Sequence, residues 1–272
     1  MNIESNASAE ITEYWRKTLV EGHRLLRLER ALFAPLRGSP RCKVCLIPFG
    51  GLAGMLASFI GRRPSRKNPN VCSICCEAMP RGGAEVEVAV LFADIRGSTA
   101  LGERLKPGAY AALLNRFYSA ATSVLLRHDA IIDKLIGDEV MALFIPGICG
   151  TEFRWRAVQA AGNLLEAVGY GQPDGAWIPL GGGVSSGLSY VGNIGSEGIV
   201  DFTALGDTVN TAARLAASAA PGEILLSEQT CASLPESFRQ LEQRGLALRG
   251  KERISEVRAC SVPVCSDPLS RK

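Results

Sequence analysis

The chain has 272 residues, 47% hydrophobic and 21% charged. That balance excludes a disordered or fibrous protein and allows one large domain or two small ones with a sizeable core. The net charge of +3 is uneven: residues 1–80 carry 12 Lys/Arg against 6 Asp/Glu, and the remainder carries 18 against 21. A basic front end suits a solvated surface, nucleic acid or anionic lipid; with no basic stretch interleaved with aromatics, no nucleic-acid partner is expected.

The first twenty residues are polar and acidic, unlike a secretory signal, so a cytoplasmic location is expected. Nine cysteines in such a chain argue for metal binding or free thiols rather than a disulfide framework. Residues 9–36 are predicted to form one helix with Gly22 as its weak point. Ile11, Trp15, Leu19, Leu25, Leu26, Leu32 and Phe33 recur at helical spacing, and Pro35 with Arg37-Gly38-Ser39-Pro40 ends the run. Such a helix either pairs with its twin in a dimer or packs on its own domain.

Residues 41–80 form a cysteine-bearing module. Cys42-Lys43-Val44-Cys45 and Cys72-Ser73-Ile74-Cys75 are two C-x-x-C knuckles, and four such thiolates favour a tetrahedral structural zinc. An iron–sulfur cluster uses the same ligand set, and buried free cysteines are the third reading. Cys76 is an adjacent extra thiol; Cys149, Cys231, Cys260 and Cys265 lack ligand spacing and read as small core or surface residues. Val44 to Ile60 is the most apolar stretch, but it is interrupted by Pro48, Gly50, Gly51 and Gly54 and falls short of the roughly 20 residues a spanning helix needs. A peripheral membrane contact there is left open but not predicted.

Pro80 to Gly83 reads as a linker, and a second pattern begins at Glu85. Val86, Val88, Val90 and Leu91-Phe92 make a strand ending at Asp94; residues 99–127 read as one helix with Phe117, Ala121, Val124 and Leu125 on its apolar face. Ile131–Ile136 and Val140–Ile145 are strands joined by a Gly137-Asp138 turn. A helix over 152–169 follows, then glycine-dense strands over 178–186 and 188–193, a helix over 207–219, a strand over 223–226 and a hairpin over 246–259. The order predicts an α+β fold with a ferredoxin-like βαββαβ core and additional elements. The divisions expected are 1–40 helical, 41–80 metal module, 81–262 catalytic and 263–272 tail.

In a β-α-β-β core the end of the first strand lies beside the next hairpin tip. Asp94 and Asp138 there can bridge two divalent cations, which stabilise the attacking and leaving oxygens of a phosphoryl displacement. Taken singly, Asp94 also reads as a helix cap and Asp138 as a turn residue. Backbone N–H groups at Gly97-Ser98-Thr99, opening the next helix, would face a triphosphate.

These residues carry a resemblance to the class III nucleotidyl cyclases, over roughly residues 85–260. It rests on Phe92-Ala93-Asp94-Ile95-Arg96-Gly97-Ser98-Thr99, on Lys134 to Glu139, and on the series Gly183, Gly187, Gly192, Asn193 and Gly195. Thr203 to Leu215 and Arg249-Gly250-Lys251 complete it. The resemblance implies that Asp94 and Asp138, with the Ile95 carbonyl, hold two Mg²⁺ or Mn²⁺ ions, and that Asn210 and Arg214 act on the transition state. Lys251 is similar to the family's triphosphate lysine. The resemblance also implies that the carboxylates and the Asn/Arg helix come from opposite subunits of a homodimer.

Lys134 and Thr203 match the family's base-reading pair. Lysine only donates, which suits the unprotonated N1 of adenine, and a threonine hydroxyl can accept from the N6 amino group. Similar enzymes that use GTP carry Glu and Cys at these places. Adenylate cyclase with ATP as substrate is therefore the expectation. The alternatives are a guanylate cyclase and a catalytically inactive, dimeric nucleotide-binding or redox-sensing relative. His23 and His128 lie in no motif and read as structural.

Overall fold

The computed structural model describes residues 3–66, 69–196, 200–246 and 255–261. The chain begins with α1 (Ile3–Val20), α2 (Arg24–Phe33), α3 (Gly51–Phe59) and α4 (Ser73–Ala78). Next come β1 (Gly82–Ile95), α5 (Ser98–Arg104), α6 (Pro107–Arg127), β2 (Ile131–Ile136) and β3 (Glu139–Phe144). They are followed by α7 (Pro146–Cys149), α8 (Phe153–Ala167), β4 (Leu180–Gly195), β5 (Val200–Leu205) and α9 (Asp207–Ser218). The chain continues through β6 (Ile224–Ser227), α10 (Glu228–Ala232), α11 (Glu236–Arg239), β7 (Glu242–Leu246) and β8 (Ser255–Cys260).

Strand order is β2-β3-β1-β4-β6-β8-β7, with β5 paired to β4. The first four of these strands reproduce the expected ferredoxin-like βαββαβ arrangement, and β6, β8 and β7 extend it. β4 and β6 run parallel; β1/β3, β2/β3, β4/β5, β6/β8 and β7/β8 are antiparallel.

Several boundaries differ from expectation. The helical run expected over 9–36, with Gly22 as its weak point, is broken there into two helices, starts earlier at Ile3 and ends at Phe33, and Gly22 takes φ +73°. The helix expected over 99–127 breaks before Pro107, which lacks the N–H needed to continue and instead starts α6. The two strands expected over 178–193 are one strand, β4, running through Gly187. Gly82 and Gly83, expected in a linker, already lie in β1.

The chain divides into two compact units, one of residues 1–86, 146–150 and 189–205, the other of 87–145, 151–188 and 206–272. In the first, Trp15 is buried and stacks on Phe202 with ring centroids 5.9 Å apart. The buried Arg30 donates from Nη1 to the Val44 carbonyl at 2.8 Å, tying α2 to the cysteine module. In the second unit, Phe117, Ala121, Val124 and Leu125 of α6 are buried as their helical spacing requires, as are Ala157, Val158, Ala161, Leu164 and Leu165 of α8. Helix α9 lies against β4 at Gly183. A Cβ there would come within 2.4 Å of the Ala212 carbonyl oxygen and the Ala216 nitrogen, so only glycine permits this approach.

Candidate functional site

Asp94 is the penultimate residue of β1 and pairs in register with Glu139, the first residue of β3. The Ile95 N–H donates to the Asp138 carbonyl at 3.1 Å, closing the ladder at the hairpin tip. Gly137, at φ +60°, makes the two-residue turn possible. Asp94 and Asp138 are thereby brought to one end of the sheet, as their sequence positions predict. The Tyr118 hydroxyl of α6 donates to the Gly137 carbonyl and steadies that turn.

Asp94, Asp138 and Glu139 all lie at this end of the sheet. Burial, and then the charge of Asp138, raises the Glu139 carboxyl above its ordinary range. Arg96 pairs with the Asp94 carboxylate and donates to the Ala217 carbonyl of α9 at 2.8 Å. Sequence reasoning passed over this arginine, although it stands two residues beyond Asp94. Carboxylate oxygens of this kind suit magnesium or manganese. Ile95, directly after Asp94, is buried.

Gly97, at φ +69°, turns the chain into α5 at Ser98. The N–H groups of Ser98 and Thr99 fall in the first turn, where no intrahelical acceptor exists. Asn210 and Arg214 lie one turn apart on α9, Asn210 exposed and Arg214 half-buried. The inner face of that helix carries Thr208, Thr211, Ala212, Leu215 and Ala216, and Thr208 donates to the Leu188 carbonyl at 3.2 Å. Lys134 lies on β2, half-buried, beside the bulge between Ile132 and Lys134. Thr203 is buried in β5 opposite Gly192 of β4. Lys251 falls outside the described residues.

The second constellation is the cysteine module. The Sγ atoms of Cys42, Cys45, Cys72 and Cys75 lie within 4.8 Å of one another, and all four residues are buried. Cys45 Sγ and Cys72 Sγ are 3.8 Å apart. Four sulfurs at about 2.3 Å from one tetrahedral ion stand about 3.8 Å apart, so the set fits a single ion. A cluster places irons and sulfides between its cysteines and spreads them further. Hydrogen bonds from Cys45, Cys72 and Cys75 drive the Cys42 thiol far below its ordinary range, while its neighbour Cys75 is driven up. Four thiols this close cannot all ionise without a cation among them. Arg62 donates to Cys45 Sγ at 3.3 Å and pairs with Glu29.

Of the remaining cysteines, Cys149 and Cys231 are buried, and burial pushes the Cys231 thiol up to about 12. Cys260, expected as a core or surface thiol, is instead disulfide-bonded. Cys265 lies outside the described residues. His128 bonds Asn163 at 2.8 Å in α8, consistent with a structural role. Among the described residues no helix is long and apolar enough to cross a membrane.

The comparisons with known proteins agree with this geometry. The family described as "Adenylate and Guanylate cyclase catalytic domain" matches residues 83–258. The chain is similar to an uncharacterized protein of Mycobacterium tuberculosis, 33% identical over 180 residues that cover 63% of this chain and 32% of that protein. It thus spans about a third of the length of the curated relatives it matches. Among solved structures it is similar to the guanylyl cyclase Cya2, with TM-score 0.59 and 25% identity over 65% of this chain and 93% of that one. It is also similar to the adenylyl cyclase CyaB from P. aeruginosa, with TM-score 0.55 and 28% identity over 65% and 95%. By fold, by paired carboxylates and by this match over most of its length, the chain belongs to the adenylate and guanylate cyclase catalytic domain family.

Proposed function

We propose that this chain is an adenylate cyclase, converting ATP to 3′,5′-cyclic AMP and pyrophosphate at a site shared between two identical subunits, with residues 81–262 as the catalytic part. The observation that carries the reading is the meeting of Asp94 and Asp138 at one sheet end in a chain that also bears Asn210 and Arg214 on α9.

Asp94 and Asp138, with the Ile95 carbonyl, would hold two Mg²⁺ or Mn²⁺ ions. Such ions, when bound, lower the pKa of the attacking hydroxyl and neutralise charge on the leaving oxygen. In the reaction the ribose 3′ oxygen forms a bond to the α-phosphorus, and the α-phosphorus bond to the pyrophosphate oxygen breaks. The hydroxyl proton leaves to water or a substrate phosphate, since neither histidine lies in the site. Arg214 places positive charge where the α-phosphate becomes more negative, and Asn210 orients the ribose by a directional hydrogen bond. Gly97, Ser98 and Thr99 offer N–H groups to the triphosphate, and Lys251 supplies a further cation. Large apolar side chains stay exposed beside site residues, Ile136 two positions before Asp138 and Leu205 two after Thr203, which supports a copy-to-copy contact there.

Lys134 and Thr203 read adenine by donation to N1 and acceptance from N6. The likeness to the guanylyl cyclase Cya2 favours a second reading, GTP as substrate. Exchanging the pair (K134E with T203C) is expected to move the ATP/GTP ratio of kcat/KM by about 10-fold or more toward GTP. If the unaltered chain already prefers GTP, the second reading replaces the first. The cysteine module is proposed as a structural zinc centre rather than an iron–sulfur cluster, because its sulfurs crowd to single-ion spacing.

The shared site is tested by mixing two dead variants. Asp94→Ala and Asn210→Ala are each expected to lose about 100-fold or more. Their mixture should regain activity, because about half of the dimers formed on random mixing pair the two variants, and each of these holds one intact site. Folded, dimeric variants that stay dead on mixing would refute the shared site.

A further inference from the structure

Helix α3 is amphipathic in the reverse sense. Its large apolar residues Leu52, Met55, Leu56, Phe59 and the adjoining Ile60 fall at i, i+3, i+4, i+7 and i+8, the spacing of a stripe that normally faces a core. Here that stripe faces outward: Leu52 is 78% exposed and Phe59 79%. The face turned inward is made of the small residues Gly54 and Ala57, both buried. Gly54 fixes this choice, since a Cβ there would lie 2.3 Å from the Phe49 carbonyl carbon. Rolling the helix would press its bulky side chains against that backbone.

The sequence around the stripe is basic. Between Glu29 and Glu77 the sequence has eight Lys/Arg and no acidic residue. Some of these cations are engaged within the fold: Arg62 with Glu29, Lys43 with Asp201, and Arg30 with the Val44 carbonyl. Arg63 and Arg66, directly after the helix, are exposed. An uncharged helix with bulky apolar side chains outward, followed at once by exposed arginines, complements an anionic lipid surface: acyl chains for the stripe, headgroups for the arginines.

We propose that α3 is a membrane-docking element, laying Leu52, Met55, Leu56, Phe59 and Ile60 into the interface of an anionic bilayer while Arg63 and Arg66 engage the headgroups. The helix lies in the interface and does not span. The proposal is independent of the cyclase reading and of the nucleotide used.

The test is flotation of the full chain with vesicles of phosphatidylcholine alone or phosphatidylcholine mixed with phosphatidylserine. Binding to the anionic vesicles is expected, weakening as salt rises. R63S with R66S should weaken partitioning about 30-fold. L56D with F59D should abolish it while leaving the melting temperature, metal content and oligomeric state unchanged, because both side chains point away from the fold. A wild-type chain that ignores anionic vesicles overturns the proposal, including one that binds duplex DNA instead. So does an L56D/F59D variant that floats like the wild type. If that variant instead dissociates an oligomer, the stripe is a contact between copies and the proposal fails.

Discussion

Gly183→Ala tests how the scaffold positions α9. The added Cβ would meet the Ala212 carbonyl oxygen and the Ala216 nitrogen at 2.4 Å and Leu215 Cβ at 2.6 Å. Two of these obstacles are backbone atoms and cannot rotate away, so α9 must retreat by about 1 Å, a displacement that can cost about 100-fold in rate when it misplaces catalytic groups. Overpacking of this kind costs about 1–3 kcal/mol. For a chain of this size that lowers the melting temperature by about 2–12 °C. The assay pairs thermal melts of the full chain with cyclase rates taken well below the transition. A modest loss of stability is expected, with a large loss of rate at temperatures where the variant is folded. A variant with lowered stability but unchanged rate would show that α9 does not carry catalytic groups. Unchanged stability and rate together would refute the packing argument.

Gly187→Ala should cost about 1–2 kcal/mol, the low end of the overpacking range, because its nearest neighbours are side-chain atoms, the Gln229 amide, which can swing away, and the Thr208 hydroxyl, which would give up its bond to the Leu188 carbonyl. Gly102→Ala, within α5 and with only the Tyr110 ring at 4.0 Å, should be neutral or stabilise by about 0.5–1 kcal/mol, read as a rise in urea midpoint. Metal analysis should find one zinc per chain, lost in Cys72→Ser together with cooperative melting of the module, whose buried core includes Val44, Ile47, Ala57 and Val71; a metal-free chain with an unchanged melt would contradict this. Burial holds the His128 ring below its ordinary 6.5. The unfolded chain therefore binds the proton more readily, and stability is lost as pH falls from about 6.5 toward the folded value. His128→Gln should flatten that part of the pH–stability curve, and a wild-type-like slope in the variant would refute it.

Much of the catalytic core was legible because its signals are local. A strand ending at Asp94, a Gly137-Asp138 turn and the periodicity of α6 and α8 need no distant partner to be read. The cysteine module was legible for the same reason, since C-x-x-C spacing builds a knuckle whatever surrounds it. What escaped depends on tertiary neighbours. Gly187 looked like an interruption of β4, yet it serves close approach to Thr208 rather than a turn. Strand β5 was not read as a strand of its own, because Val200 to Leu205 shows only a short alternation and gains its place by pairing with β4. Arg96 gave no periodic or spacing signal, and its role appears only when Asp94 and Ala217 are seen around it. The sidedness of α3 was invisible for a different reason. An apolar stripe normally reads as core, and only the contact of Gly54 with the Phe49 backbone shows which face is turned in.

The most direct test of the central claim is product formation by the purified chain, supplied with ATP or GTP in turn with magnesium or manganese. Cyclic AMP from ATP is expected in preference to cyclic GMP from GTP, with loss of product in Asp138→Ala. Cyclic GMP as the main product would overturn the base assignment to Lys134 and Thr203, and no cyclic nucleotide from either substrate by a folded, metal-supplied dimer would contradict the proposed activity.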